Sequence, residues 1–505
     1  MIIVPVISLL SYGSIDSFQV INEKKYLFFN SSINTFYLLT LTIFVSLFLG
    51  LFPAWYITIY QFKFRKTIDF LMYLPLAIPT YIMAFSYGEI LSYTGPFQTF
   101  LRFYLKPISN FFNRDYLTIE ILGIVLGLSL YPYVYAACRI SFSLIGKTYL
   151  DLSESLGNNW FKTFFKVVIP LSIPSILSAI FLVSMEVLNE YGAVKYFGIN
   201  TFTTEIFKSW YSLNDESTAV SLAIILLLIV FVIFSFEYLY NSKLKVNYSP
   251  NSKISYTLNQ KKPILPYLFS FFPIVFGFFI PLIFILFNVV DNIGSYKLVE
   301  LTTYTANSIF ISAVSSSIIV ILLLFILFID NHYKSSQSKI LTTLTSLGYA
   351  LPGAVLGLSL IIFSRILNNN IIDISLIGTF SLLIYALVIR FLVVGRSPLK
   401  SSIEKIPQST FEKAQNLGLN NYALLRKIYL PLNKLGIISA FMLCFIDVMK
   451  ELPITLILMP FNFNTLSTKT YELAVEEMVD LSSIFSLLII GICSLTLFVI
   501  KKYLS

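Results

Sequence analysis

Four carboxylates recur in two matched pairs. Glu186 and Glu190 each stand 261 positions ahead of Asp447 and Glu451. Each pair closes an apolar stretch that begins near Pro170 or Pro431. At a helical rise of 1.5 Å per residue, Glu186 and Asp447 lie about 24 Å along their stretch, and Glu190 and Glu451 about 30 Å. Ionisable groups at such depth are costly and face either the protein interior or a water-filled path. Hard oxygen ligands suit a hard, highly charged cation, so these acids could line a cation pathway. The other reading is structural: they pair with Lys450 or Lys195, or cap helix ends. Glu89, inside another apolar stretch, has a weaker case of the same kind.

Other chemistry finds little support. Gly146-Lys147-Thr148 imitates the end of a phosphate-binding loop, but the required first glycine falls on Ser141 and no strand precedes it. Cys138, Cys444 and Cys493 lie in apolar runs without CxxC spacing, as small buried thiols do. The single histidine, His332, sits in a polar loop. No nucleophile with a base beside it and no metal motif is visible, so the chain reads as non-catalytic, with no firmly assigned metal site.

The elements that must position the acids follow from composition. Of 505 residues 57% are hydrophobic and 12% charged, where soluble proteins carry roughly 25% charged residues. Mean hydropathy is +0.80. These values predict an all-α polytopic membrane protein. A spanning helix needs about 20 apolar residues, and stretches near 33–61, 68–91, 119–140, 171–190, 218–240, 264–290, 305–329, 340–364, 372–396, 432–449 and 481–500 qualify. Met1–Tyr12 would be a twelfth but is short: either a half-span or a helix whose true start lies upstream. No cleavable signal peptide is evident.

Sorting the loops onto two sides places 24 of the 35 Lys+Arg on one of them, with a minority of the 26 Asp+Glu. Basic loops stay in the cytoplasm, so both termini are expected to face inward. The net charge of +9 is then a topology signal, and nucleic acid is not an expected partner. One loop, 92–118, resists with Arg102, Lys106 and Arg114 on the acidic side. Arg139 and Arg390, placed at cytoplasmic ends, read as snorkelling anchors.

The offset of 261 also relates two loops. Asp151–Pro170 reads DLSESLGNNWFKTFFKVVIP and Glu412–Pro431 reads EKAQNLGLNNYALLRKIYLP. Gly157 and Gly418 suit a tight turn, and Pro170 and Pro431 suit a first helical turn. Upstream, LPLAIP (74–79) corresponds to LPG (351–353). The chain therefore divides into similar halves, 1–245 and 263–505, joined by a polar linker at 246–262. Both loops fall on the basic side, so the repeats are parallel, with a pathway expected on their pseudo-two-fold axis.

The loops resemble the EAA loop of ATP-binding-cassette (ABC) importer permeases: EAA, three residues, G, nine residues, then I-x-L-P. Glu412, Ala414, Gly418, Ile428, Leu430 and Pro431 match; the first copy has Asp151, Ser153, Gly157, Val167, Ile169 and Pro170, departing at its first three letters. The runs 74–102, 131–139, 185–213 and 447–474 are similar to fused ferric-iron permeases. The resemblance implies a MetI-like fold of about twelve helices in two six-helix halves, in a bacterial inner membrane with lipid around it. It implies two copies of a cytoplasmic ATPase on the loops, using ATP and Mg²⁺, and a periplasmic ferric-binding protein outside. The chain itself would bind no cofactor. The same architecture serves thiamine and other small solutes. An ion-coupled secondary transporter would have no reason to carry two such loops.

Overall fold

The computed structural model describes residues 3–13, 17–106, 112–145, 147–243, 256–257, 264–333, 345, 348–370, 375–416 and 418–504. Among the described residues eight helices are long and apolar enough to cross a bilayer, and two further spans arise if each of two bent helix pairs counts as one. Two shorter apolar helices, Ile3–Gly13 and Gly353–Asn369, bring the apolar segments near the expected twelve. The only strands among the described residues are Tyr60–Gln61 and Tyr256–Thr257, paired in parallel. The rest of the linker at 246–262, with Gly146, falls outside the described residues.

Three expected spans need correction. The stretch 68–91 is broken: Arg65–Ala77 meets Thr80–Tyr104 at 89°. Pro79, extended at ψ 144°, starts the second piece and has no N–H to continue a ladder. The stretch 372–396 is displaced, because Gly378 turns the chain at φ +74° and Thr379 caps a helix running Phe380–Glu404. The stretch 432–449 follows a 74° bend between Asn421–Leu432 and Lys434–Lys450. At that bend Asn433 is buried; its amide donates to Tyr429 C=O at 2.8 Å and its oxygen accepts from Ser402 at 3.0 Å. Residues 340–344 and 346–347 of the expected span 340–364, and 372–374 of the span 372–396, lie outside the described residues.

Packing repeats between the halves. Ile119–Leu144 lies along Lys25–Ile59 as Phe380–Glu404 lies along Leu298–Tyr333. Lipid tails give helices little hydrophobic reason to associate, so small and hydroxylic residues mark the crossings. Thr42, Ser46 and Gly50 are spaced by four on one face, and a Cβ at Gly50 would stand 2.7 Å from Val134 Cβ. The leading helices cross over. Ile3–Gly13 packs on Gly353–Asn370 of the second half, where Ser8 donates to Ser359 C=O at 3.0 Å. Ile280–Asp291 packs on Thr80–Leu91 of the first. The halves thus interlock around a shared interface.

Pro96–Tyr104 accounts for the basic loop that broke the charge rule. Leu101 and Gln98 are buried, while Phe100, Phe103 and Tyr104 are exposed. Arg102 lies 4.1 Å over the Tyr93 ring and Arg114 5.6 Å from that of Tyr116. Exposed aromatics beside cations on a short amphipathic helix are the pattern of a helix lying in a membrane interface.

Asp215 fixes the entry to Glu216–Lys243. It accepts from Thr218 N–H at 3.1 Å and from the Thr218 and Ser217 hydroxyls, and it pairs with Lys24. Burial opposes its ionisation, but Lys24 and these donors outweigh burial and hold the carboxyl well below the usual aspartate range. Because the folded pKa is depressed, the stabilisation is present above the unfolded value of about 3.9 and is lost as pH falls further. Asparagine keeps a good cap. Asp215→Asn should therefore lower thermal stability at pH 7, and its deficit relative to wild type should shrink on acidification below the ordinary aspartate range. A deficit independent of pH would show that the charge is not the cause.

Candidate functional site

The carboxylates sit where two helices stop alike. Ile169–Asn189 ends at Glu190 with φ −67° and ψ 122°, and Lys434–Lys450 ends at Glu451 with φ −66° and ψ 128°. These extended residues turn the chain into Gly192–Tyr196 and Pro453–Leu458. Each glutamate then caps the helix it precedes: Ala193 N–H donates to Glu190 Oε1 and Ile454 N–H to Glu451 Oε1, both at 2.9 Å. Each backbone carbonyl is held as well, by Thr203 at 2.8 Å and Ser467 at 3.0 Å. Two buried capping boxes, Thr201 with Thr204 and Thr465 with Thr468, follow in step. The two glutamates are pinned at side chain and backbone alike.

Their remaining contacts differ. Glu190 Oε2 accepts from the Thr80 hydroxyl, just past the break at Pro79. Glu451 Oε2 faces Arg390 Nε at 3.7 Å. Glu186 accepts from the Tyr349 hydroxyl. Asp447 pairs with Lys450 at 3.2 Å, and Lys450 also donates to Leu76 C=O at 3.1 Å. Arg390 Nη1 donates to Asn189 Oδ1 at 2.5 Å, and the same oxygen accepts from Gly353 N–H at 2.6 Å. A Cβ at Gly353 would stand 2.9 Å from Arg390 Nη1 and 3.0 Å from both Asn189 Oδ1 and Glu451 Oε1, so a larger residue here would have to push the ends of these three side chains aside.

These groups surround a cavity of about 70 Å³ between the halves, lined also by Tyr81, Tyr133 and Tyr191. A water needs roughly 10–15 Å³ on this measure, so the cavity has room for several waters or one small ion. All four expected carboxylates meet there. Glu89 does not line it; its carboxylate accepts from Tyr196 at 2.9 Å. The acids cap helices, pair with Lys450 and line the cavity at once, so the structural and pathway readings do not exclude each other. Lys195 lies exposed. Among the described residues no three His, Cys, Asp or Glu side chains converge as a metal site.

Arg390 is a correction. It is 3% exposed, eleven residues into its helix, and belongs to this cluster rather than to a helix end. Arg139 is half-buried and pairs with Asp69 at 3.5 Å, where Tyr135 also donates. Thr80, Asn189, Tyr349 and Gly353 were missed as well. For Thr80 and Gly353 the signal was present, since each follows the proline of the matched LPLAIP and LPG segments.

The two repeated loops have one geometry. Gly157 and Gly418 adopt φ +75° and +81°. Asn158 N–H reaches Ser153 C=O at 3.1 Å and Leu419 N–H reaches Ala414 C=O at 3.2 Å, the closing bond of a glycine C-cap. Asn159 and Asn420 then cap the next helices through Lys162 N–H at 2.9 Å and Ala423 N–H at 2.8 Å. Five-residue π-helical turns follow at Phe164–Val168 and Leu425–Tyr429. The departure at Ser153 is explained locally. It is buried like Ala414, and its hydroxyl meets Thr163 at 2.9 Å where the second copy has Leu424. Asp151 is exposed, as are Pro170 and Pro431; the Glu412 side chain is outside the described residues. Leu152 and Leu156 are exposed at 56% and 79%, an apolar face on a loop that otherwise has no need of one.

A family model for the binding-protein-dependent transport system inner membrane component matches residues 28–246 and again 325–505. The chain belongs to that family. It is a multi-pass ABC permease built from two such repeats, a family of transport subunits rather than enzymes. The permease is 26% identical over 481 residues to the Fe(3+)-transport system permease protein FbpB 2 of Haemophilus influenzae, covering 93% of this chain and 89% of that one. The sulfate permease CysT of Escherichia coli is 28% identical over 31% of this chain and 54% of its own length. The molybdenum permease ModB of Azotobacter vinelandii is 26% identical over 33% of this chain and 71% of its own.

Proposed function

We propose that this permease passes ferric iron between its two halves, through the carboxylate-lined cavity. The observation that carries the reading is the cavity itself: Glu186, Glu190, Asp447 and Glu451 meet there against two cations, Arg390 and Lys450. Hard oxygen donors in excess of positive charge favour a hard cation. The likeness to an Fe(3+) permease along 93% of the chain supports the same cargo. No preformed three-acid site exists among the described residues, which suits a transit point, where binding must be weak enough to release. An oxyanion is the second reading, favoured by Arg390 and Lys450 and by the sulfate and molybdenum relatives. The acidic excess opposes it.

Two copies of a separate ATPase are assigned to the loops around Gly157 and Gly418, on the basic, inward side. A periplasmic binding protein is assigned to the acidic side, and both termini to the cytoplasm. ATP binding would close the ATPase pair, and the loops would carry that motion to the halves. The test is uptake by the permease reconstituted with its ATPase and binding protein in vesicles. ATP-dependent accumulation of ferric iron, without sulfate or molybdate, is expected. Sulfate or molybdate uptake without iron would overturn the assignment.

A further inference from the structure

The two halves place the same acids around the cavity but not the same cations. At the offset of 261, Lys450 corresponds to Asn189 and Arg390 to Ser129, and all four line the cavity. Both positive charges therefore belong to the second half alone. They pair with that half's own acids, Lys450 with Asp447 at 3.2 Å and Arg390 with Glu451 at 3.7 Å. Among the described residues the first half's acids have no ion pair; Glu186 takes the Tyr349 hydroxyl, and Glu190 takes the Thr80 hydroxyl and Ala193 N–H. One wall carries its own cations, and among the described residues the other has acids without them.

We infer that Lys450 and Arg390 are resident counter-ions that set how loosely the cavity holds a passing cation, with Lys450 the adjustable one. The inference rests on the cation-transport reading above. Four carboxylates without them would hold a multiply charged ion more tightly, and conduction requires that the ion leave. Arg390 is fixed, its side chain 4% exposed and tied to Asn189. The Lys450 side chain is 16% exposed and, among the described residues, held by Asp447 and Leu76 C=O alone. Swinging its ammonium off Asp447 would free a third carboxylate for an arriving ion, and its return would help expel that ion. A stabilising pair alone would not need to face the cavity, nor be missing from the matching half.

The test uses the full chain with Lys450→Asn, which installs the residue the first half already tolerates at this place. The probe is Tb³⁺, whose emission Tyr81, Tyr133 and Tyr191 around the cavity would sensitise, with Glu190→Gln as the control for cavity binding. Lys450→Asn should bind Tb³⁺ at least about ten-fold tighter, since even a small screened fraction of the repulsion between a unit charge and a trivalent ion a few ångströms away, at an effective dielectric near 20, amounts to that. In the reconstituted transporter the same variant should show a lower KM for iron delivery and a lower maximal rate. Lys450→Arg should restore both towards wild type. Unchanged or weaker Tb³⁺ binding by a normally folded Lys450→Asn protein would overturn the inference while leaving iron transport intact. If wild type instead moves an oxyanion, Lys450→Asn should raise that ion's KM, and the cation reading fails first.

Discussion

Ferric-iron uptake by Glu190→Gln is expected to fall at least tenfold, with the protein still folded and expressed. Glutamine is nearly isosteric and can keep the Ala193 N–H bond through its oxygen. The Thr80 hydroxyl, which donates to Glu190, can rotate to accept from the new amide. What changes is one negative charge on the wall that has no cation of its own. At about 4 Å and an effective dielectric near 20, a unit charge pair is worth roughly 4 kcal/mol, so even a screened fraction of that costs tenfold. Glu451→Gln should behave differently. It strips Arg390, 3% exposed, of its carboxylate partner. Removing one partner of a buried pair typically costs about 3–5 kcal/mol. Glu451→Gln should therefore lose stability as well as uptake, and Glu190→Gln uptake alone. Melting temperature in detergent and vesicle uptake separate the two. Wild-type uptake by both variants, normally expressed, would sink the cavity as the pathway.

The repeat made most of this legible in advance. The offset of 261 placed both loops, both glycines and all four acids, and the structure preserves it even in unforeseen details, such as the paired π-helical turns and the asparagine caps. Arg390 was misread because apolarity alone drew its span at 372–396, which put the arginine near an end. The helix starts eight residues later, since Gly378 and Thr379 stop and cap the chain there, and the arginine lands well inside. Hydropathy locates apolar mass; turn chemistry locates the helix. The exchange of leading helices between halves was hidden for another reason. Nothing in a helix's own composition says which half it will pack against. The asymmetry of charge was available in principle, as Asn189 against Lys450 and Ser129 against Arg390, once the repeat was read for its mismatches as well as its matches.

The second large effect is expected at the turn of the repeated loops. Gly418→Val should reduce ATP-driven uptake more than tenfold without unfolding the permease, and Gly157→Val should do the same from the other copy. Nothing lies within 4 Å of a Cβ built at either glycine, so crowding is not the obstacle. The obstacle is the backbone, at φ +81° and +75°. A left-handed conformation costs an ordinary L-residue about 1–2 kcal/mol, and a β-branched one is a true outlier there. Valine would relieve that strain by reopening the turn. It would break the closing bonds to Ala414 or Ser153 C=O and swing the short helix before the turn away from the capped helix after it. The loops are exposed, so the membrane core loses little. The loss falls on the surface assigned to the ATPase, whose orientation the turn sets. Asparagine visits the left-handed region readily, so Gly418→Asn should retain most activity, with alanine between the two. The measurement is uptake and binding-protein-stimulated ATPase activity of the complete transporter. Stimulation should fall together with uptake in the valine variants and survive in the asparagine ones. Equal tolerance of valine and asparagine would mean that the handedness of this turn does not matter to coupling, and the loops would lose their assigned role.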